Sequence, residues 1–337
     1  RRVAMQTEKI TGIKSVDFRI KAVGHGVVNW NGSPKLMTTV DGKDKQINNH
    51  AMPKLRGYTN IQGYWDDGNP KYKHTENVDY KTNKLYISQN CIRHHLFRSE
   101  SYNLNSPKLL TDTVKLLCSI PGLMRGYVIP KNENKRTSPL LLTDFVDQLG
   151  NGNFEQMGRS GSKEKKETKA GKEKSNSLFS KTTFGDTEYD AYGSISMELL
   201  QFIPLAADFG RQAMIINNED EGREVAVQIM NYINSLGNSS TAEAVYDKNY
   251  VRSGSIFDEG EAGILLNDVA QNILVNEMLS LIKNLSIRQA KGYMYVDSIE
   301  VDYNSGESGK DMMRIKHTPS EVTKEKGQDY AVYYKGK

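Results

Sequence analysis

With 337 residues, 37% of them apolar, the chain is long enough to bury a sizeable core, and its net charge is only +4. No apolar run approaches the ~18 residues of a membrane span, and residues 1–6 have no signal-peptide apolar core, so the expectation is a soluble cytoplasmic protein without a membrane partner. Two cysteines, Cys91 and Cys118, are too few for a disulfide framework and suit a reducing compartment.

Residues 13–23 alternate Val16, Phe18, Ile20 and Ala22 with Asp17, Arg19 and Lys21, the period of a half-buried strand. After Gly24-His25-Gly26 the strand is expected to continue through Val27 to Trp30, until Gly32-Ser33-Pro34 breaks it. Residues 33–84 show little periodicity but interleave Lys54, Arg56, Lys71, Lys73 and His74 with Tyr58, Tyr64, Trp65, Tyr72 and Tyr80. The turn signal Asp66-Asp67-Gly68-Asn69-Pro70 makes this an inserted, projecting hairpin. Rings beside cations suit nucleic acid; the plainer alternative is a hairpin packed on the body.

Residues 85–99 read as a strand end feeding a helix, with Ser88 as N-cap. Helical spacing puts Cys91, Ile92, His95 and Leu96 on one face, and Gln89, Asn90, Arg93, His94 and Phe97 on the other. A helix start with free N–H groups, amides and an arginine suits a phosphate or carboxylate, although an ordinary surface helix has the same pattern.

Further along, Ser106-Pro107 opens a helix running to about Cys118 and Pro121-Gly122 closes it, with a strand over 123–130. Residues 151–177 are rich in Gly, Ser, Lys and Glu and read as a flexible loop. Within them, 159–174 hold one Arg and six Lys against three Glu, a surplus equal to the whole chain's +4. That suits a polyanion, or is merely solvated. A long strand is expected over 185–203 with 213–216 as partner, helices over 221–236 and 266–285, and strands over 293–303, 312–316 and 330–334. Strands and helices without a regular βαβ repeat indicate an α+β fold with an antiparallel sheet.

Chemistry-bearing constellations are weak. Cys91 and His95 have metal-ligand spacing but sit on an apolar face, and Asp66 and Asp67 are explained by turn chemistry. Phosphate-loop, zinc-protease and hydrolase motifs are absent, so neither an enzyme nor a cofactor is expected.

One resemblance gathers these features. An N-terminal strand, a long basic insertion, the run Ser88-Gln89-Asn90-Cys91-Ile92-Arg93-His94-His95-Leu96-Phe97, then Phe184-Gly185-Asp186 leading to Tyr192-Gly193-Ser194-Ile195-Ser196-Met197 and Gln201, resembles the backbone subunit of CRISPR Cascade complexes. This is the Cas seven family of the RAMP superfamily, closest to its minimal type I-F variant. The resemblance implies a single α+β domain with a modified RRM-like (ferredoxin-like) palm, 33–84 as thumb and web, and 151–177 as a flexible basic loop. It implies self-assembly as a filament on a CRISPR RNA, guide pairing with target DNA, and other Cascade subunits capping the 5′ and 3′ ends of the guide. The expected RNA-contact set is Arg19, Lys21, Lys54, Arg56, Tyr58, Trp65, Lys71, Tyr72, Lys73, Ser88, Gln89, Asn90, Arg93, His94, Arg98 and Lys181. No RNP-type aromatic pair marks the strands, so backbone recognition is expected over base stacking. Two alternatives are a type III-like RNase using Asp66 or Asp67 with a metal, and an oligomeric interaction protein without nucleic acid.

Overall fold

The computed structural model of the chain describes residues 9–32, 34–47, 50–74, 79, 81–98, 112–159, 178–206, 212–255, 259–306 and 322–337. Its framework is β1 (Ser15–Gly26), whose apolar residues Val16, Phe18, Ile20 and Ala22 are all fully buried, as the alternation requires. Each of the three larger side chains, Val16, Phe18 and Ile20, stabilises the fold by about 1.5–3 kcal/mol. Beyond Gly26 the strand stops: Val27 instead donates its N–H to Lys291 O, and Trp30 bridges to Pro53.

The insertion contains two hairpins rather than one. β2 (Leu36–Val40) and β3 (Lys43–Ile47) turn at Asp41 and Gly42, both with positive φ as a tight hairpin needs. After β4 (His50–Ala51), β5 (Ile61–Tyr64) and β6 (Pro70–Tyr72) form the second hairpin, with the anticipated turn at its tip. Leu36, Met52 and Leu55 are buried in the common core, so the base of the insertion is packed on the body. β7 (Tyr86–Ile87) then leads into α1 (Gln89–Leu96).

Of the second expected helix, only α2 (Thr113–Leu117) is seen, and its expected start lies outside the described residues. A π-helical turn (Pro121–Arg125) replaces the beginning of the expected strand, which shortens to β8 (Tyr127–Ile129). β9 (Asn134–Arg136), β10 (Leu140–Leu142) and β11 (Phe145–Asp147) follow. The segment read as a loop from 151 begins instead as β12 (Phe154–Arg159), paired with β13 (Leu178–Thr183) and with β4. The lysine-rich stretch after Arg159 lies outside the described residues.

The expected strand over 185–203 is broken. β14 (Asp186–Ser196) ends where Ser196 Oγ accepts the N–H of Leu199, capping the short α3 (Met197–Gln201), and β15 (Phe202–Ala206) resumes. Met197 and Leu200 both point into the core, a spacing that fits a helical turn and not a strand. β16 (Met214–Ile215), α4 (Glu219–Gly237), β17 (Ala244–Arg252), β18 (Glu261–Leu266) and α5 (Asp268–Lys283) come next. Asn218 caps the start of α4 and left-handed Asn238 its end, close to the expected limits. β19 (Ser286–Gln289), β20 (Gly292–Asn304) and β21 (Tyr334–Gly336) complete the strands. Residues 312–316 are outside the described set. Residues 330–333 form only an isolated parallel bridge, Tyr330 with Ile13, and divide their hydrogen bonds: Ala331 N donates to Ile13 O, while Gln201 donates to Ala331 O at 2.8 Å and accepts from Tyr333 N at 2.9 Å.

The result is a mixed α/β fold dominated by a seven-stranded sheet of order β19-β20-β1-β14-β11-β7, with β10 also on β14, and all its pairings are antiparallel. This order is compatible with an RRM-like palm. A second sheet, β16-β15-β18-β17-β21, lies beyond α5, which touches both sheets. Gly193 sits directly across from Phe18; a Cβ there would come within 2.3 Å of the ring, so this position of the Tyr192-Gly193-Ser194 run requires glycine.

Candidate nucleic-acid interface

Helix α1 starts as its sequence suggests, yet its N-terminus is already occupied. Ser88 Oγ accepts from Cys91 N at 3.4 Å, Asn29 Oδ1 from Ser88 N at 3.0 Å, and Asp144 Oδ1 from Gln89 N at 2.9 Å. A carboxylate of the chain itself therefore stands where a phosphate was expected, against the positive end of the helix dipole. Ile92 and Leu96 are buried as the spacing requires, but Phe97 is buried too, which removes it from the outer face. Arg93 also turns inward: Nη1 donates to Ser138 Oγ at 3.2 Å and Nη2 to Leu140 O at 2.5 Å. Gln89, Asn90, His94 and Arg98 remain exposed.

Around this helix, cations outnumber anions among the described residues. Lys54 accepts the Tyr86 N–H through its backbone carbonyl, and its charge reaches Cys91. Burial first, and then the charge of Arg125, lowers the Arg93 pKa; burial lowers that of Arg125 as well. Burial first, then His94 and Arg98, holds His95 below the ordinary histidine value. Among the described residues, the one carboxylate in ion-pair reach of Lys54, Arg56, Arg93, His94, His95, Arg98 or Arg125 is Asp144, 3.9 Å from Arg56. At such a distance and exposure the pair contributes little.

The β5–β6 hairpin extends the same chemistry. Trp65 is 58% exposed with the Lys71 ammonium 4.3 Å from its ring centre, and Tyr64 is 64% exposed. Lys73 lies 4.9 Å over Tyr58 and Lys35 5.8 Å over Tyr72. Rings and cations thus alternate along the insertion, the arrangement that stacks bases and neutralises phosphates. Asp67 accepts from the backbone and side chain of Asn69, which holds its carboxyl below the usual range and confirms its turn role. Lys181 lies on β13 opposite Gln156, apart from α1 in the small sheet that joins β4.

Arg19 and Lys21 belong to a different surface, the open face of the main sheet. Arg19 Nη2 is paired with Asp190 Oδ2 at 2.8 Å and lies over Tyr192, while Lys21 is opposite Asp190 and Ser298 in the ladder. Tyr293 and Tyr295 project from β20 on this face, 50% and 48% exposed, and His25 stacks on Tyr293 while pairing with Asp186. Glu188 and Glu300 share the same rows. The structure therefore separates these two residues from the other expected contacts.

The relation of this surface to known proteins follows from the sequence as a whole. The family model described as type I-Fv CRISPR-associated protein Cas7fv-like matches residues 12–337. The chain belongs to this family. A search of curated proteins found no match. As a Cas7-type chain it is tied to CRISPR-based antiviral defence, and the match spans the main sheet, the insertion and α1 alike.

Among the described residues of this Cas7-type protein, no group of three or more His, Cys, Asp or Glu is placed to hold a metal ion. Burial raises the pKa of the Cys91 thiol and pushes that of Cys118 up to about 11. No helix among the described residues is long and apolar enough to cross a membrane. Sequence reasoning did not single out Tyr293 and Tyr295 as exposed rings of the sheet face, although their alternation with buried Met294 and Val296 carries the signal. It also missed Arg125, for which the sequence has no marker because a π-helical turn presents it.

Proposed function

We propose that this chain is the guide-binding backbone subunit of a CRISPR interference complex. It coats a CRISPR RNA without regard to sequence, assembles into a cytoplasmic filament along it, and presents the guide for pairing with target DNA while other Cascade subunits cap the 5′ and 3′ ends. The observation that carries this reading is the group of cations around α1, against which Asp144 alone stands among the described residues, in a chain of the Cas7fv-like family. A scaffold for any spacer must rely on phosphate charge and sequence-tolerant rings over base edges. The β20-β1-β14-β11 order supports an RRM-like palm, and the β5–β6 hairpin supports a thumb whose Trp65 and Tyr64 act as wedges.

The test is particle mass by light scattering against RNA length, with two unrelated sequences. Mass should grow in proportion to length and equally for both; a fixed stoichiometry or a strong sequence preference overturns the reading. We further propose that the chain carries out no cleavage. RNA incubated with it in Mg²⁺ or Mn²⁺ should remain intact, whereas cutting that Asp66→Ala or Asp67→Ala abolishes would establish the RNase reading instead.

A further inference from the structure

Four residues of the π-helical turn, Pro121, Gly122, Leu123 and Met124, are buried, and Arg125 alone emerges from it. The backbone here is tightly fixed. A Cβ on Gly122 would sit 1.8 Å from Leu116 O, and one on Gly126, at φ 74°, would sit 2.4 Å from Arg136 O and 2.9 Å from Ser138 N. Only glycine fits at either position. Single-turn π-helical insertions are often found at functional sites, which makes the residue presented by this one worth following.

Ser138 connects this turn to α1. Its Oγ lies 2.8 Å from Met124 O, to which it donates, and accepts from Arg93 Nη1 at 3.2 Å. Arg93 thereby spends two of its donors on Ser138 and Leu140 and is fixed beside Arg125. Arg125 is half-buried, yet its guanidinium has no hydrogen bond or ion pair among the described residues. Met124 O and Arg93 Nη1 meet at the Ser138 hydroxyl, so the next residue, Arg125, adds a second positive charge near Arg93; the two repel one another and, each partly removed from water, are incompletely solvated. An anion relieves both penalties. Arg125 keeps its five-donor fork uncommitted, the geometry that clasps two oxygens of a phosphate.

We infer that Arg125 forms a subsite for one phosphodiester of the bound strand, with Ser138 as the pivot and Arg93 as a positioning residue. This deepens the RNA-binding reading above and rests on it for the identity of the strand. The subsite gives each subunit a fixed phosphate contact, and it reads no base.

The experiment uses the full chain with two readouts. The first is the salt dependence of binding to oligouridine and oligoadenosine of equal length. Arg125→Gln should weaken both about tenfold at moderate salt and make the log–log slope shallower by about 0.7, the value for one phosphate contact on a single strand. Arg125→Lys should keep the slope and lose about threefold, because charge remains and the fork is gone. The second readout is melting temperature in inorganic phosphate against chloride at equal ionic strength. Phosphate should raise the wild-type value and leave Arg125→Gln unmoved. In chloride, Arg125→Gln should melt no lower than wild type, whereas Arg93→Gln, which loses hydrogen bonds, should melt lower. If wild type binds RNA and Arg125→Gln leaves affinity and slope unchanged, the subsite is wrong and the RNA reading stands. If wild type binds no RNA, the RNA reading fails, and the phosphate shift alone decides whether Arg125 holds an anion.

Discussion

The α1 flank and the open face of the main sheet contain similar residue types, yet their electrostatics are opposite. Both carry arginines, a lysine, a histidine and aromatic rings. On the sheet face these cations meet acids: Arg19 is held by Asp190 at 2.8 Å, His25 by Asp186 at 2.8 Å, and Glu188 and Glu300 stand in the same rows. On the flank, Lys54, Arg98 and Arg125 have no acid in ion-pair reach among the described residues, and Asp144 is only 3.9 Å from Arg56. What makes a polyanion surface is the number of cations left unneutralised, more than the number present.

Matched charge reversals break this comparison most directly. Lys54→Glu with Arg98→Glu should weaken RNA binding about 30- to 100-fold at ~150 mM salt, since two phosphate contacts become repulsions. On the sheet face, Lys21→Glu with Arg288→Glu, the latter an exposed residue of β19 opposite Tyr293, should change it less than about threefold, as measured by fluorescence anisotropy on the same RNA.

Arg136 marks a third kind of cation, one spent on the fold. It is fully buried, donates to Phe202 O at 2.7 Å and Leu200 O at 3.3 Å, and burial lowers its pKa to about 10. Arg136→Met leaves two buried carbonyls without donors and should cost about 2 kcal/mol in urea unfolding. RNA affinity of the folded fraction should not change.

Aromatic substitutions sharpen the contrast further. Trp65→Ala should lower RNA affinity about five- to tenfold, the loss of one stacked base, with an unchanged melting temperature because the ring is 58% exposed. Tyr293→Ala on the sheet face should lower it less than about twofold in the same titration.

The smallest expected effect is a pH dependence on the flank. Burial, then His94 and Arg98, lowers the pKa of His95 in the folded chain below its unfolded value of about 6.5. The unfolded state then binds protons more readily, so the free protein should lose stability as pH falls below about 6.5. RNA phosphates favour the charged imidazole, so affinity should rise over the same range. Melting curves and titrations from pH 8 to about 5 should show both trends, each reduced in His95→Gln.

Much of the framework was legible locally. The alternation in β1, the Ser88 cap, the turn at Asp67 and the helical spacing of α4 and α5 are short-range patterns, and each appears where expected. What was not legible depends on partners far away in sequence. Arg19 reads as a free cation until Asp190, distant in the chain, is seen to pair with it. Arg93 reads as outward-facing until Ser138 and Leu140 capture it. The segment 330–333 has the composition of a strand, but the Gln201 side chain takes Ala331 O and Tyr333 N while Ile13 and Ser253 take Ala331 N and Tyr333 O. The π-helical turn that presents Arg125 follows no repeat that a sequence pattern reveals.

The central claim, that RNA lies along the α1 flank and the β5–β6 hairpin and not on the open sheet face, is tested most directly by photo-crosslinking. The full chain would be assembled on RNA containing 4-thiouridine at every uridine, irradiated, digested, and its crosslinked peptides mapped by mass spectrometry. Crosslinks are expected in peptides containing Tyr58, Trp65 and His94. Crosslinks concentrated at Tyr192, Tyr293 and Tyr295, with the flank unmodified, would contradict the account.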